Sequence, residues 1–128
     1  MASKLYGNFL AKALNKEVDW DSDTIKVALL SSSYTPDQDT HTYFNNVSSY
    51  EVTGTGYSSG GATLGSKTVS YDSANNVIVL DAADSTWSSS TITARYAVVY
   101  DSTGTASTSP LIGYVDFGSD QSSTNGNF

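Results

Sequence analysis

Cysteine is absent from the 128 residues, so neither a disulfide framework nor a thiolate metal site can be built. Proline is scarce, with two residues, and glycine is moderate, with ten, which separates the chain from a disordered linker. Lysine and arginine together number six against thirteen acidic residues. The resulting net charge of -7 opposes binding to a nucleic-acid backbone or to an anionic membrane surface, since both attract basic segments. No apolar run approaches the roughly twenty residues needed to cross a bilayer. Met1-Ala2-Ser3-Lys4 leads into an amphipathic stretch and not into the apolar core of a secretion signal, so export by the general secretory route is not expected. Any stability beyond a small core must come from packing, a partner subunit or a hard cation.

What is present reads as one mainly β domain over residues 1–128. Its hydrophobic content, 38%, is ordinary for a Ser- and Thr-rich β-protein, and the nine tyrosines suit sheets and contact surfaces. The central stretch is Thr91 to Asp101. Ile92, Ala94 and Tyr96 alternate with Thr93, Arg95 and Ala97, and the stretch then becomes the apolar run Tyr96-Ala97-Val98-Val99-Tyr100. Alternation marks a half-buried strand, and an unbroken β-branched and aromatic run marks one covered on both faces. Pro110 to Phe117 is a second run of this kind, and the two read as an antiparallel pair at the centre of the sheet. Thr24 to Ser31 forms another strand. Ala62 to Tyr71 and Val77 to Leu80 form a hairpin across Asp72 to Asn76, and Asp84 to Ser88, with Trp87, forms a short strand.

Outside the strands, Ser3 is expected to cap an N-terminal helix over about residues 4–15, with Leu5, Phe9 and Ala13 on one stripe. A short second helical segment is expected from Pro36 through Phe44. Residues 45–65 lack periodicity and are dense in Asn, Ser, Thr and Gly, and a loop of that length tends to be functional or held by a partner. The β-domain thus spans about residues 24–118, followed by a polar, mobile tail over 119–128. Turn spacing fits an antiparallel β-sandwich or partly open barrel.

Chemistry-bearing motifs are few. Asp19-x-Asp21-x-Asp23 opens like a calcium loop, but Thr24 stands where Gly is required and Leu30 where Glu is required. The run reads instead as a solvated turn. His41 has Asp37, Asp39 and many serines nearby but no Gly-x-Ser-x-Gly elbow, and a surface or capping role is favoured over catalysis. Gly54 to Gly65 lacks the Gly-Lys-Ser/Thr ending of a phosphate cradle and reads as a loop with positive-φ turns. Trp20, Trp87 and the tyrosines would serve a sugar platform, but aromatics at strand-period positions are more often core. Catalytic, cofactor and metal residues are therefore expected to be absent. The candidate contact residues are Leu5, Phe9, Tyr50, Tyr57 and Arg95; the planar guanidinium of the last suits either a subunit contact or an intrachain bridge to a strand aspartate.

Ser31 to Asp37, Thr91 to Tyr100 and Leu111 to Gly118 resemble segments of small tailed-bacteriophage and prophage virion proteins, with the likeness running from about Lys4 to Phe128. The resemblance implies a non-enzymatic structural protein of the virion, made in the host cytoplasm. Its expected place is as a capsid decoration or cement protein on the head. The expected partners are copies of itself, with a trimer as the expected state, together with the major capsid protein or other virion proteins. A tail or fibre component, binding a host receptor or carbohydrate, is the alternative. Members of that group continue past Asn125-Gly126-Asn127-Phe128 into one more strand, which leaves the sheet order open.

Overall fold

In the computed structural model, which describes residues 3–128, the elements are β1 (Lys4–Leu5), α1 (Phe9–Leu14), β2 (Ile25–Leu30), β3 (Ala62–Thr63), β4 (Thr68–Asp72), β5 (Val77–Asp81), β6 (Ser90–Asp101) and β7 (Leu111–Gly126). Met1 and Ala2 lie outside the described residues. Five strands form one antiparallel sheet in the order β1-β7-β6-β2-β3, and β4 and β5 pair separately as a hairpin. The sheet does not close into a barrel. The architecture is an open, mainly β, sandwich-like arrangement in which loops and one short helix cover most of the sheet.

β6 is central because its sequence satisfies both faces. Tyr96, Val98 and Tyr100 cluster with Ala28, Leu30, Tyr34 and Phe44. Ile92, Ala94 and Ala97 cluster with Val27, Leu29 and Trp87. The expected parity of Ile92, Ala94 and Tyr96 therefore fails. A register shift between Ala94 and Tyr96 sets Arg95 opposite Phe117 to Asp120. A bulge of this kind re-aims the side chains that follow it. Gly118, at φ 84, turns the longer strand there, and Asp116 Oδ1 accepts both its amide (2.8 Å) and Arg95 Nε (2.8 Å).

Six further expectations are corrected. The helix begins at Phe9 and not near Lys4, because Lys4 and Leu5 are drawn into edge pairing with Tyr114 and Gly113, and Tyr6 N donates to Ile112 O at 3.0 Å. A few residues of helix are marginal without burial, so the sheet bonds prevail. Ser3 caps nothing, and its hydroxyl accepts the Asp116 amide. The second helical segment is not continuous. Asp37 Oδ1 takes the amides of Asp39 and Thr40 in a side-chain turn, and single 3-10 turns follow at Phe44–Asn46 and Ser48–Tyr50.

Asp84 to Ser88 is not a strand. Trp87 is instead bonded through its backbone in both directions to Phe128, at 3.2 and 2.9 Å. Nor is 119–128 a mobile tail, since β7 runs on to Gly126, with Ile92 opposite Ser123 and a buried Ser90–Ser123 hydroxyl contact of 2.7 Å. Finally, the expected strand from Ala62 to Tyr71 is divided. Ala62–Thr63 edges the main sheet, and Thr68–Asp72 leaves it for the hairpin. No described helix is long and apolar enough to cross a membrane.

Candidate interaction surface

The five candidate contact residues are dispersed. Leu5 is 54% exposed on the edge strand. Phe9, expected at an interface, is buried with Val18, Ile25 and Ile112 in the core beneath α1. Tyr50 is half-buried, tilted against the Tyr34 ring at 5.5 Å. Arg95 is held by Asp116 within its own sheet, which keeps the carboxyl below the usual range and raises the guanidinium.

Tyr57 belongs to an internal clamp. Its hydroxyl donates to Glu51 Oε2 (2.5 Å) and accepts the Leu29 amide (3.1 Å), while Glu51 also accepts Gly60 N (2.7 Å) and Ser59 Oγ (3.2 Å). From the far side, Tyr100 Oη donates to Gly60 O at 2.6 Å. Burial, then the bond to Glu51, pushes the Tyr57 phenol far above its ordinary value. The long glycine-rich loop, expected to need a partner or a function, is therefore fastened from within. Gly56, Gly60 and Gly61 supply the positive-φ turns expected of it.

Two polar groupings remain. Tyr6 Oη lies 2.8 Å from Tyr34 Oη, which lies 2.9 Å from His41 Nδ1. With Nδ1 as acceptor, the phenols donate in sequence from Tyr6 to Tyr34 to His41, which ties the chain after β1 to the loop after β2. Burial raises both phenols, so they stay protonated donors and are poor bases. His41 borders an open depression of about 630 Å³ with Lys4, Asp37 and Tyr114, and among the described residues no Ser or Thr hydroxyl is bonded to its ring.

The second grouping is Asp101, 2% exposed, beside Asp23. Burial, then Asp23, pushes the Asp101 carboxyl up to about 7, whereas the bond from Asp101 holds Asp23 below its usual range. Asp101 Oδ2 has no partner if ionised. Protonated, the Asp101 carboxyl can donate to Asp23, the contact that adds to its raised proton affinity. The Asp19-x-Asp21-x-Asp23 run is a turn, with Asp19 Oδ1 accepting Ser22 N and Asp23 Oδ2 accepting Asp19 N, and the chain then enters β2. Among the described residues, no three His, Asp or Glu side chains converge so as to hold a metal ion.

The surface lacking an internal partner is apolar. In the hairpin, Val69 faces Leu80 and Tyr71 faces Ile78, so these four side chains share one face. Leu80 is rooted against the Ile25–Ile112 cluster, but Val69, Tyr71 and Ile78 are 45%, 59% and 64% exposed. At its root the face runs into an open groove of about 360 Å³ lined by Leu5, Trp20, Leu80, Val99, Ile112 and Val115. Of the expected contact residues, the structure places only Leu5 here. The signal for the others was in the sequence: alternation in Val69-Ser70-Tyr71 and the run Val77-Ile78-Val79-Leu80, both patterns of a covered strand. No family model, curated protein or solved structure matches this chain.

Proposed function

We propose that the chain is a non-enzymatic structural protein of a tailed-bacteriophage virion, a capsid decoration or cement protein that stabilises the head through subunit contacts. It would assemble as a homo-oligomer, a trimer being the favoured state, and meet the major capsid protein or other virion proteins. The observation that carries this reading is the division of labour between polar and apolar groups. Glu51, Tyr57, Tyr34, His41, Arg95 and Asp116 are engaged in holding loops and strands, whereas the hairpin leaves Val69, Tyr71 and Ile78 exposed on one face, with the Tyr71 hydroxyl bonded to Asn76. Uncovered apolar faces of this size mark protein contacts. Burying them in an assembly stabilises the subunit by mass action. The residue segments quoted above for their likeness to virion proteins point the same way, and the net charge of -7 argues against a role on the packaged genome.

The test is reconstitution. Purified chain is added to expanded heads that lack it, and the particles are imaged by electron cryomicroscopy. Saturable, symmetric density on the outer lattice is the expected result. Adsorption to host cells in competition with phage, without head binding, would support a tail or fibre role instead. Mature particles free of the chain would refute both.

A further inference from the structure

We propose that the hairpin β4–β5 is an assembly arm whose apolar face is received by the groove beside β1 on a second copy of this chain. The inference deepens the assembly reading above and rests on it only for the expectation that copies meet. Three observations favour another copy as the occupant. The first is continuity: arm and groove form one strip through Leu80, so every copy carries both halves of the contact. An isolated two-stranded hairpin is marginal in water, and this one gains little cover from its own domain.

The second observation is fit. A cavity of about 150 Å³ accommodates a benzene ring, so the 360 Å³ groove has room for the Tyr71 ring together with the Ile78 side chain. Leu5, Val69, Tyr71 and Ile78, between 45% and 64% exposed, would form the apolar centre of such a contact, to which a standard interface commits roughly 800 Å² from each partner. The rims of such a contact would supply the remainder.

The third is charge. Asp72, beside the turn at the arm's tip, is held ionised by hydrogen bonds from Asn75 and Ala74, which lower its carboxyl. Lys4 borders the groove and makes no ion pair among the described residues. Asp72 alternates to the face opposite Tyr71, so seating Tyr71 in the groove would leave the Asp72 carboxylate at the rim of the contact, where Lys4 also stands. An arm-to-groove contact made in one direction is heterologous, and where its rotation closes it forms a ring, of which the trimer favoured above is one.

Sedimentation velocity of the purified chain tests this directly. The wild type is expected to exceed the 13.5 kDa monomer mass at micromolar concentration. Ile78→Asp and Leu5→Asp, both at exposed positions, should each weaken association about tenfold or more with unchanged circular dichroism. Because the native chain has no cysteine, Leu5→Cys combined with Ile78→Cys should form disulfide-linked oligomers under mild oxidation, and neither single variant should. A wild type that stays monomeric, or an Ile78→Asp variant that associates as the wild type does, overturns the proposal. So does a double-cysteine variant that gives no covalent oligomer. A monomer that still saturates expanded heads would overturn the arm while leaving the virion role standing. In that case a capsid protein covers the strip.

Discussion

Replacing Asp101 with asparagine should make the protein more stable at neutral pH, although it alters a side chain buried in the sheet. Asp101 pairs with Ile25 at the end of β6, is 2% exposed, and lies against the Asp23 carboxyl. The charged groups facing it are Asp23, which raises its proton affinity, and Lys67, which lowers it while its ammonium is bonded to the Asp23 carbonyl. Its carboxyl moves from 3.8 to about 7 on folding. The folded state therefore keeps a proton that the unfolded chain has released. Stability should be unaffected by this group below pH 3.8, fall as pH rises through the window from 3.8 to about 7, and level off above it. At roughly 1.4 kcal/mol per unit, the loss has a ceiling of about 4 kcal/mol.

Asparagine cannot ionise and can still donate to Asp23, so the variant escapes that loss. Its amide has a second hydrogen for which no acceptor has been identified, and a buried donor left unmet costs about 1–2 kcal/mol. A net advantage of roughly 2 kcal/mol for Asp101→Asn should thus remain at about pH 8, and should shrink to nothing or reverse near pH 4. Urea unfolding followed by tryptophan fluorescence, at low protein concentration and across that range, reads the difference. Asp23 works in the opposite sense: its lowered carboxyl contributes stability above 3.8 that is lost on acidification. The decisive quantity is therefore the variant-minus-wild-type difference and not either profile alone. A difference that stays constant with pH would refute the shared proton.

Three other changes probe the fold. Gly61, at φ +82, packs where a Cβ would collide with the Val27 carbonyl and approach Ala28 Cα to 2.7 Å, so Gly61→Ala should cost about 3 kcal/mol in urea unfolding. Val98 is fully buried in β6, and Val98→Asp should cost more than about 4 kcal/mol and abolish soluble folded protein, as judged by yield and circular dichroism. Tyr34→Phe deprives the Tyr6 hydroxyl of its acceptor and should lower unfolding free energy by about 1–3 kcal/mol, with a smaller effect from Tyr6→Phe, which removes donor and cost together.

The strands at the sheet centre were legible because their chemistry is local. Alternation in Thr91 to Arg95, the β-branched run after it, and Ile25-Lys26-Val27 each state a burial pattern that the folded chain keeps. Residues 119–128 were not legible because Ser, Asp, Asn, Gln and Gly carry no strand signal of their own and Thr124 stands alone among them. As far as Gly126 they are strand because β6 offers them a ladder, and that offer is a tertiary fact. The same holds for Lys4 and Leu5, whose helical spacing loses to an edge of β7. The Glu51 clamp and the Asp23–Asp101 pair were invisible for a related reason, since each joins residues whose separation along the chain gives no hint of contact.

The hairpin departs from expectation in a different way, and that departure is informative. Its sequence declares a buried strand pair, with one face carrying only Val69, Tyr71, Ile78 and Leu80, and the pairing forms in the register that this pattern requires. Only the burial is missing. Where local pattern and observed packing agree on structure but disagree on exposure, the sequence specifies a cover that the single chain does not supply. Exposed apolar residues scattered singly would need no such explanation. Three on one hairpin face, rooted in the core and opening onto a groove of the same character, do. Contact with another protein surface, as proposed above, is the cover this pattern calls for.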